Sequence, residues 1–341
     1  MTAVPNRAAR SLFRDGVARR ANTVALAYTG LAWIGSFGLL DASSAILNLA
    51  GVLLCAHAMV LAAYLVHEAA HHTLFAAKRA NHWTGEAMSF IAGSSYASFE
   101  RIRHMHIRHH LDRADVACFD FKAVLRGNPG LRRTLQALEW AYFPATEIMM
   151  HLQVVWRPFC VRSQRKYLPR SAAMLLLRGF LLVALGLAAL KALVLYALAM
   201  MLELHVLNFF DAFHHTFEQH FIEPDEDLPL NGRDRAYEEA NTYSNLISAR
   251  HPWVNVLTLN FGYHNAHHHR ASVPWYRLPA LHRQLYGEER HCVMPLAELL
   301  ATWHRNRVCR VIADDYGTLA RGARRADSFI GAHGVSFLTV V

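Results

Sequence analysis

Four long apolar stretches constrain this chain more than anything else in it. Residues 24–40, 45–66, 171–190 and 192–210 each approach the ~20 residues that cross a bilayer core as a helix. Inside lipid every backbone N–H and C=O must be satisfied within the structure, so segments of this kind cross as helices. DASS separates the first two and Lys191 alone separates the last two, which predicts two transmembrane hairpins. The composition agrees: 53% of residues are hydrophobic and 18% charged, apolar for a soluble chain. The alternative is a soluble helical protein that buries both hairpins.

The basic residues sort by side. Arg7, Arg10, Arg14, Arg19 and Arg20 precede the first span, and Lys78, Arg79, Arg101, Arg103 and Arg108 follow the second. Arg162, Arg165, Lys166 and Arg170 precede the third, while the two short turns hold only Lys191. By the positive-inside rule both termini and all long polar segments face the cytoplasm, in a bacterium from the inner membrane. This accounts for a formal charge of +9 without a nucleic-acid partner. Arg178, close to the entry of the third span, is expected to snorkel to the interface.

The domain plan follows. Residues 1–23 carry five arginines and no small-residue cleavage site, so they read as a cytoplasmic basic arm and not a removed signal peptide. Residues 24–316 form the membrane domain, with a cytoplasmic cap made of 67–170 and 211–316. Residues 317–341 read as a loose tail. Segments 86–99 and 138–159 are apolar but contain Glu, His or Pro, and are expected to be interfacial or re-entrant helices. The five cysteines (Cys55, Cys118, Cys160, Cys292, Cys309) form no C-x-x-C pair, so neither a disulfide framework nor a thiolate iron site is indicated.

Many of the 23 histidines fall in clusters outside the spans, and those clusters are all on the cytoplasmic side. HEAAHHTLF gives His67-x-x-x-His71 with His72 beside it. HMHIRHH gives His106-x-x-His109-His110, DAFHHTFE gives Asp211 four residues before His215, and YHNAHHHR gives His264-x-x-His267-His268. Residues at i, i+3 and i+4 share a helical face, so each cluster can aim two or three imidazoles at one point. Imidazole suits iron, zinc and copper. Nine such rings and a carboxylate are too many for one ion and about right for two. The H-E-x-x-H match to zinc proteases, with Glu68 as base, leaves the second and fourth clusters unexplained. A metal-binding or transport protein is a further alternative, against which stands the lack of acidic residues marking a path through the spans.

HEAAHHTLF, HIRHH and YHNAHHH followed by Val273-Pro274-Trp275-Tyr276-Arg277-Leu278-Pro279 resemble the three histidine boxes of the integral-membrane fatty acid desaturase family. The resemblance covers residues ~45–290, with four spans in the expected places. It implies an all-α membrane fold whose cytoplasmic helical cap holds a non-haem di-iron centre, with two iron ions (Fe2+/Fe3+) as cofactor and O2 as co-substrate. The implied metal residues are His67, His71, His106, His109, His110, His264, His267 and His268. Some relatives add a His near the end of the fourth span and, four residues earlier, an Asn that contacts iron through water. His215 and Asp211 fall at that spacing, with Asp as a departure that alters the charge of the site. The implied reaction is oxidation of a fatty acyl chain, foremost desaturation. Alternatives at the same site are hydroxylation and decarboxylation of a free fatty acid to a terminal alkene. The implied partners are a free fatty acid, acyl thioester or acyl lipid, and a separate electron donor such as ferredoxin with its reductase.

Other residues weigh less. His72 is an alternative to His71, and His214 and His269 sit beside stronger candidates. His104 points off the face of its cluster. Glu68, Asp112, Asp115 and Glu218 are close enough in sequence to orient ligand rings. His57 lies about 15 Å below the metal face on its helix, with Glu203 and His205 at matching depth in the fourth span. The two readings for them are a hydrogen-bonded pair between spans and a functional intramembrane site.

Overall fold

A computed structural model describes residues 12–221, 232–287, 293–317, 319 and 326–333. Arg7, Arg10, Cys292 and most of the expected tail lie outside them. The described chain is mostly helical, with two three-residue strands among the described residues. The spans are α1 (Gly16–Asp41), α2 (Ala45–Ala70), α8 (Leu168–Ala188) and α9 (Leu190–Ala212). All four are long and apolar enough to cross a membrane. Between the hairpins run α3 (Lys78–Ile91), α4 (Phe99–Asp112), α5 (Phe121–Gly127), α6 (Pro129–Trp140) and α7 (Ala145–Cys160). After α9 come α10 (Arg235–Ala240), α11 (His264–His269), α12 (Leu278–Tyr286) and α13 (Leu296–Asn306).

Each span begins or ends for a local reason. The Asp15 carboxylate caps α1 by accepting from Ala18 N at 2.7 Å. α2 stops where His72 adopts a left-handed backbone, φ +56°, which an ordinary side chain tolerates only outside a helix. Lys191 opens α9 and donates to the carbonyls of Asp41 and Ala42, so the two hairpin turns adjoin at one end of the bundle. α2 is the central span, buried through its whole second half, whereas α8 turns Leu176, Phe180 and Leu187 outward, each at least 70% exposed. Large apolar side chains on that scale need a bilayer around them.

Two strands set the other end. β1 (Asp115–Ala117) pairs in parallel with β2 (Gln219–Phe221), Asp115 opposite Gln219. They hold the exit of α4 beside the exit of α9, two places where histidines cluster.

Several expectations change. Segment 86–99 is not one element: α3 ends at Ile91 and Gly93, φ +81°, turns the chain before α4. Segment 138–159 divides at Tyr142, φ +60°, and Pro144 into the end of α6 and α7. Arg178 does not snorkel. It is 9% exposed and donates to Ser95 Oγ and the Phe90 carbonyl, because the end of α3 lies beside it. The described part of the tail is packed, not loose: Phe329 is fully buried and Ala332 N donates to Ala212 O at 2.8 Å. The described cysteines are unbridged.

Candidate metal centre

Nine imidazoles from four stretches of chain meet at the end of the bundle opposite the hairpin turns. His67, His71, His106, His110 and His267 form one group, and His109, His215, His264 and His268 form another. Within each group the ligand-capable atoms all lie within 4.8 Å of one another. The grouping cuts across the sequence clusters, contrary to the expectation that each cluster serves one point. His106 and His110 go to the five-membered group and His109 to the other; His264 and His268 go to the four-membered group and His267 to the five. At 3.6 residues per turn, positions i+3 and i+4 point about 100° apart. A box with both therefore straddles two centres.

The ring nitrogens face each other. His71 Nε2 lies 2.7 Å from His106 Nε2, His67 Nε2 3.0 Å from His267 Nε2, and His110 Nε2 3.2 Å from His106 Nε2 and 3.1 Å from His267 Nε2. In the second group His215 Nε2 lies 2.8 Å from His264 Nε2 and 3.2 Å from His109 Nε2. Tautomers follow from the outer partners. His109 Nδ1 donates to the Ala114 carbonyl at 3.0 Å, which has no proton to return. Thr242 Oγ1 gives its proton to Glu238 O, so at 3.3 Å it accepts from His215 Nδ1. His268 Nδ1 donates to Glu238 Oε1 at 3.0 Å. A neutral imidazole has one donor and one acceptor nitrogen, so these three Nε2 atoms present lone pairs to a common point. His268 Nε2 is buried without a hydrogen bond. Converging lone pairs repel unless a cation lies between them. The donor set thus fits a metal ion in each group.

Burial pushes the imidazoles of His106, His110, His215, His264, His267 and His268 well below their ordinary pKa, and their mutual proximity adds to this. They are held neutral, the form that binds metal.

The carboxylates divide. Asp115 Oδ1 lies 3.3 Å from His109 Nδ1, and Glu68 Oε1 lies 3.6 Å from His67 Nδ1. Glu68 Oε2 accepts from Thr73 Oγ1 at 2.6 Å and Trp275 N at 3.1 Å. It therefore ties the Val-Pro-Trp-Tyr stretch to α2 and sits behind His67, away from the converging nitrogens, which is no place for a protease's general base. Asp112 is engaged by Arg108 at 2.8 Å, and Glu218 by Arg233 at 2.7 Å; neither reaches the ligand rings. Asp211 falls outside both groups. Its expected i, i+4 match to His215 assumes a continuous helix, but α9 ends at Ala212. Asp211 instead lines a cavity of about 50 Å³ with His106, His109, His215 and His264.

The remaining histidines separate cleanly. His71 joins its group while His72, past the helix end, does not. His214 Nε2 donates to Asn245 Oδ1 at 2.7 Å, and its ring stacks on His264 at 3.9 Å. His269 lies 3.9 Å from Glu239, and His104 is exposed. The interspan pair does not form. His57 accepts from Tyr28 Oη at 2.8 Å and donates to Leu257 O at 2.9 Å, while His205 donates to Tyr142 O at 2.7 Å. Glu238 and Thr242, which meet the outer nitrogens of His268 and His215, were missed by sequence reasoning because nothing in their local spacing marks them.

No curated protein matches the chain closely enough to count as a relative. The fatty acid desaturase family model matches residues 44–294, a stretch that begins at the N-cap of α2 and takes in all nine clustered imidazoles. With more than half its length matched, the chain belongs to the fatty acid desaturase family.

Proposed function

We propose that the chain catalyses O2-dependent oxidation of a fatty acyl chain at a di-iron centre, and that the reaction is desaturation. Family membership implies a metal-dependent oxidoreductase with a lipid substrate in a membrane. The observation that supports the finer reading is the pair of imidazole groups whose ring nitrogens converge, with the lone pairs of His109, His215 and His268 turned inward in one of them. When bound there, two iron ions would supply the redox chemistry that activates O2 and removes hydrogen from an unactivated chain.

The protein's own part is holding and orienting. His67, His71, His106, His110 and His267 would hold one ion, and His109, His215, His264 and His268 the other. The Ala114 carbonyl, Thr242 and Glu238 keep the Nδ1 protons of His109, His215 and His268 on the outer side, fixing the orientation of those three rings. The Glu68–Trp275 bond keeps α11 against α2. Asp211 faces the small cavity beside the rings, where it would hold a water or a proton. Which C–H bond reacts is then a matter of where the chain is held.

Electrons would come from a separate carrier such as ferredoxin with its reductase, docking on the basic cytoplasmic face. The substrate would be a free fatty acid, an acyl thioester or an acyl lipid in the inner membrane. The test is expression in a host lacking the activity, with mass spectrometry of lipids and headspace hydrocarbons. An internal double bond is expected. A terminal alkene one carbon shorter, or a hydroxylated chain, would replace desaturation by another outcome at the same centre. Unchanged lipids from a protein that carries zinc would overturn the proposal.

A further inference from the structure

A second cavity, of about 340 Å³, opens between the end of α3, α7 and α9. Its walls are mostly apolar, with Ile148, Met200 and Leu207 among them, but the ionisable side chains of Glu147, His151 and Glu203 also line it. Glu203 is 1% exposed and its Oε1 has no hydrogen-bond partner among the described residues. It lies in a membrane-spanning helix, where an ionisable side chain is costly and usually serves a purpose. Arg178 lies near enough for its charge to act on Glu203, but its guanidinium bonds Ser95 and the Phe90 carbonyl and gives Glu203 Oε1 no hydrogen bond. Leu152 and Phe143 stand at the cavity rim and are exposed, which gives the cavity access from the lipid side.

The cavity also points toward the metal centre. Glu203, Leu207 and Asp211 are spaced four apart on α9 and so form one stripe. Leu207 and Asn208 line the apolar cavity, and Asp211, on the next turn, lines the small cavity among the ligand rings. Glu203 lies about 12 Å from Asp211 along the helix, at 1.5 Å per residue. A chain that enters beside the metals and follows this stripe ends on a carboxyl group that lacks a donor.

We propose that Glu203 determines specificity by accepting a hydrogen bond from a hydroxyl group on the substrate chain, far from the carbon that reacts. The preferred substrate is then a lipid chain carrying a hydroxyl at or near its distal end, not a plain hydrocarbon tail. The proposal rests on the acyl-oxidation reading above and narrows its substrate class. Such a chain satisfies the buried acceptor that a plain chain would leave bare, and a bare buried acceptor is penalised.

The test is a competition between hexadecanoic and 16-hydroxyhexadecanoic acid on the membrane-reconstituted, iron-loaded protein. Binding of each labelled acid and its oxidised product are measured together. The wild type should favour the hydroxylated acid by about tenfold, the size of one well-made buried hydrogen bond. Glu203→Leu, an apolar replacement that a span tolerates, should abolish or reverse the preference with iron content unchanged. Glu203→Gln keeps an acceptor oxygen and should retain part of it. No preference in the wild type, or one that survives Glu203→Leu, would overturn the proposal, since water alone would then satisfy Glu203. Oxidation of plain hexadecanoic acid under those conditions would leave the acyl-oxidation reading intact. If the iron-loaded protein, given O2 and a reductant, oxidised neither acid, that reading would fall instead, while the binding preference would still test Glu203.

Discussion

The two imidazole groups are built on different supports. The five-membered group takes three of its rings from α2 and α4 and a fourth, His71, from the C-cap of α2, the span buried at the centre of the bundle. The four-membered group takes one ring from α4, two from the six-residue α11, and His215 from the loop past α9. Its outer contacts compensate. Asp115, the Ala114 carbonyl, Thr242 and Glu238 all meet its Nδ1 atoms, whereas Glu68, at 3.6 Å from His67, is the carboxylate beside the other group. Rigid helices orient rings through the backbone; loops and short helices need side chains to do it. The four-membered group should therefore depend more on its outer partners and have fewer ligands to spare.

The largest effect should come from removing ligands. His264→Ala leaves three imidazoles in its group and His267→Ala leaves four. Both should abolish product, but elemental analysis should show His264→Ala losing an ion outright and His267→Ala retaining more of its metal. Equal losses would remove the asymmetry. Next comes Glu238→Ala, which strips His268 Nδ1 of its acceptor. Metal affinity should fall about 10–100-fold at one of two sites, as a chelator titration with two separable phases would reveal. A uniform loss at both sites would contradict the division.

A smaller effect is expected at Gly331. Its φ is +83°, and a Cβ there would meet Ala212 O and the Phe213 ring at 2.8 Å, the helix end that leads to His215. Gly331→Val should cost about 1–3 kcal/mol, seen as a lower Tm, and weaken the four-membered group only. The smallest effect is assigned to Glu68→Gln. The amide oxygen can still accept from Trp275 N, so activity should stay within a few-fold, and stability should fall by about 1 kcal/mol for the altered Thr73 bond. Complete loss of activity would restore a catalytic role to Glu68.

The spans and the clustered rings were legible in the sequence because both are local patterns. Apolar length marks residues 45–66 as a helix whatever surrounds it, and His106-x-x-His109-His110 announces a metal face by spacing alone. Which ring serves which ion was not legible. It depends on how α11 docks against α2 and α4, and on the parallel pairing of Asp115–Ala117 with Gln219–Phe221. Asp211 lies beside the rings but outside the two close groups, a distinction its spacing could not make because the sequence shows no sign that α9 ends at Ala212. Glu238 was invisible because its partners, His268 and Arg113, are remote in sequence. The tail around Phe329 looked loose because its mild apolarity acquires meaning only against Phe213 and Trp303 in the folded chain.

Metal analysis of the purified protein tests the central claim most directly. Iron and zinc are counted per chain after expression in iron-replete medium, with occupancy of each group followed through His264→Ala and His267→Ala. Two irons per wild-type chain, each variant losing metal from its own group, is the predicted result. One ion per chain, or zinc in place of iron, would contradict the account.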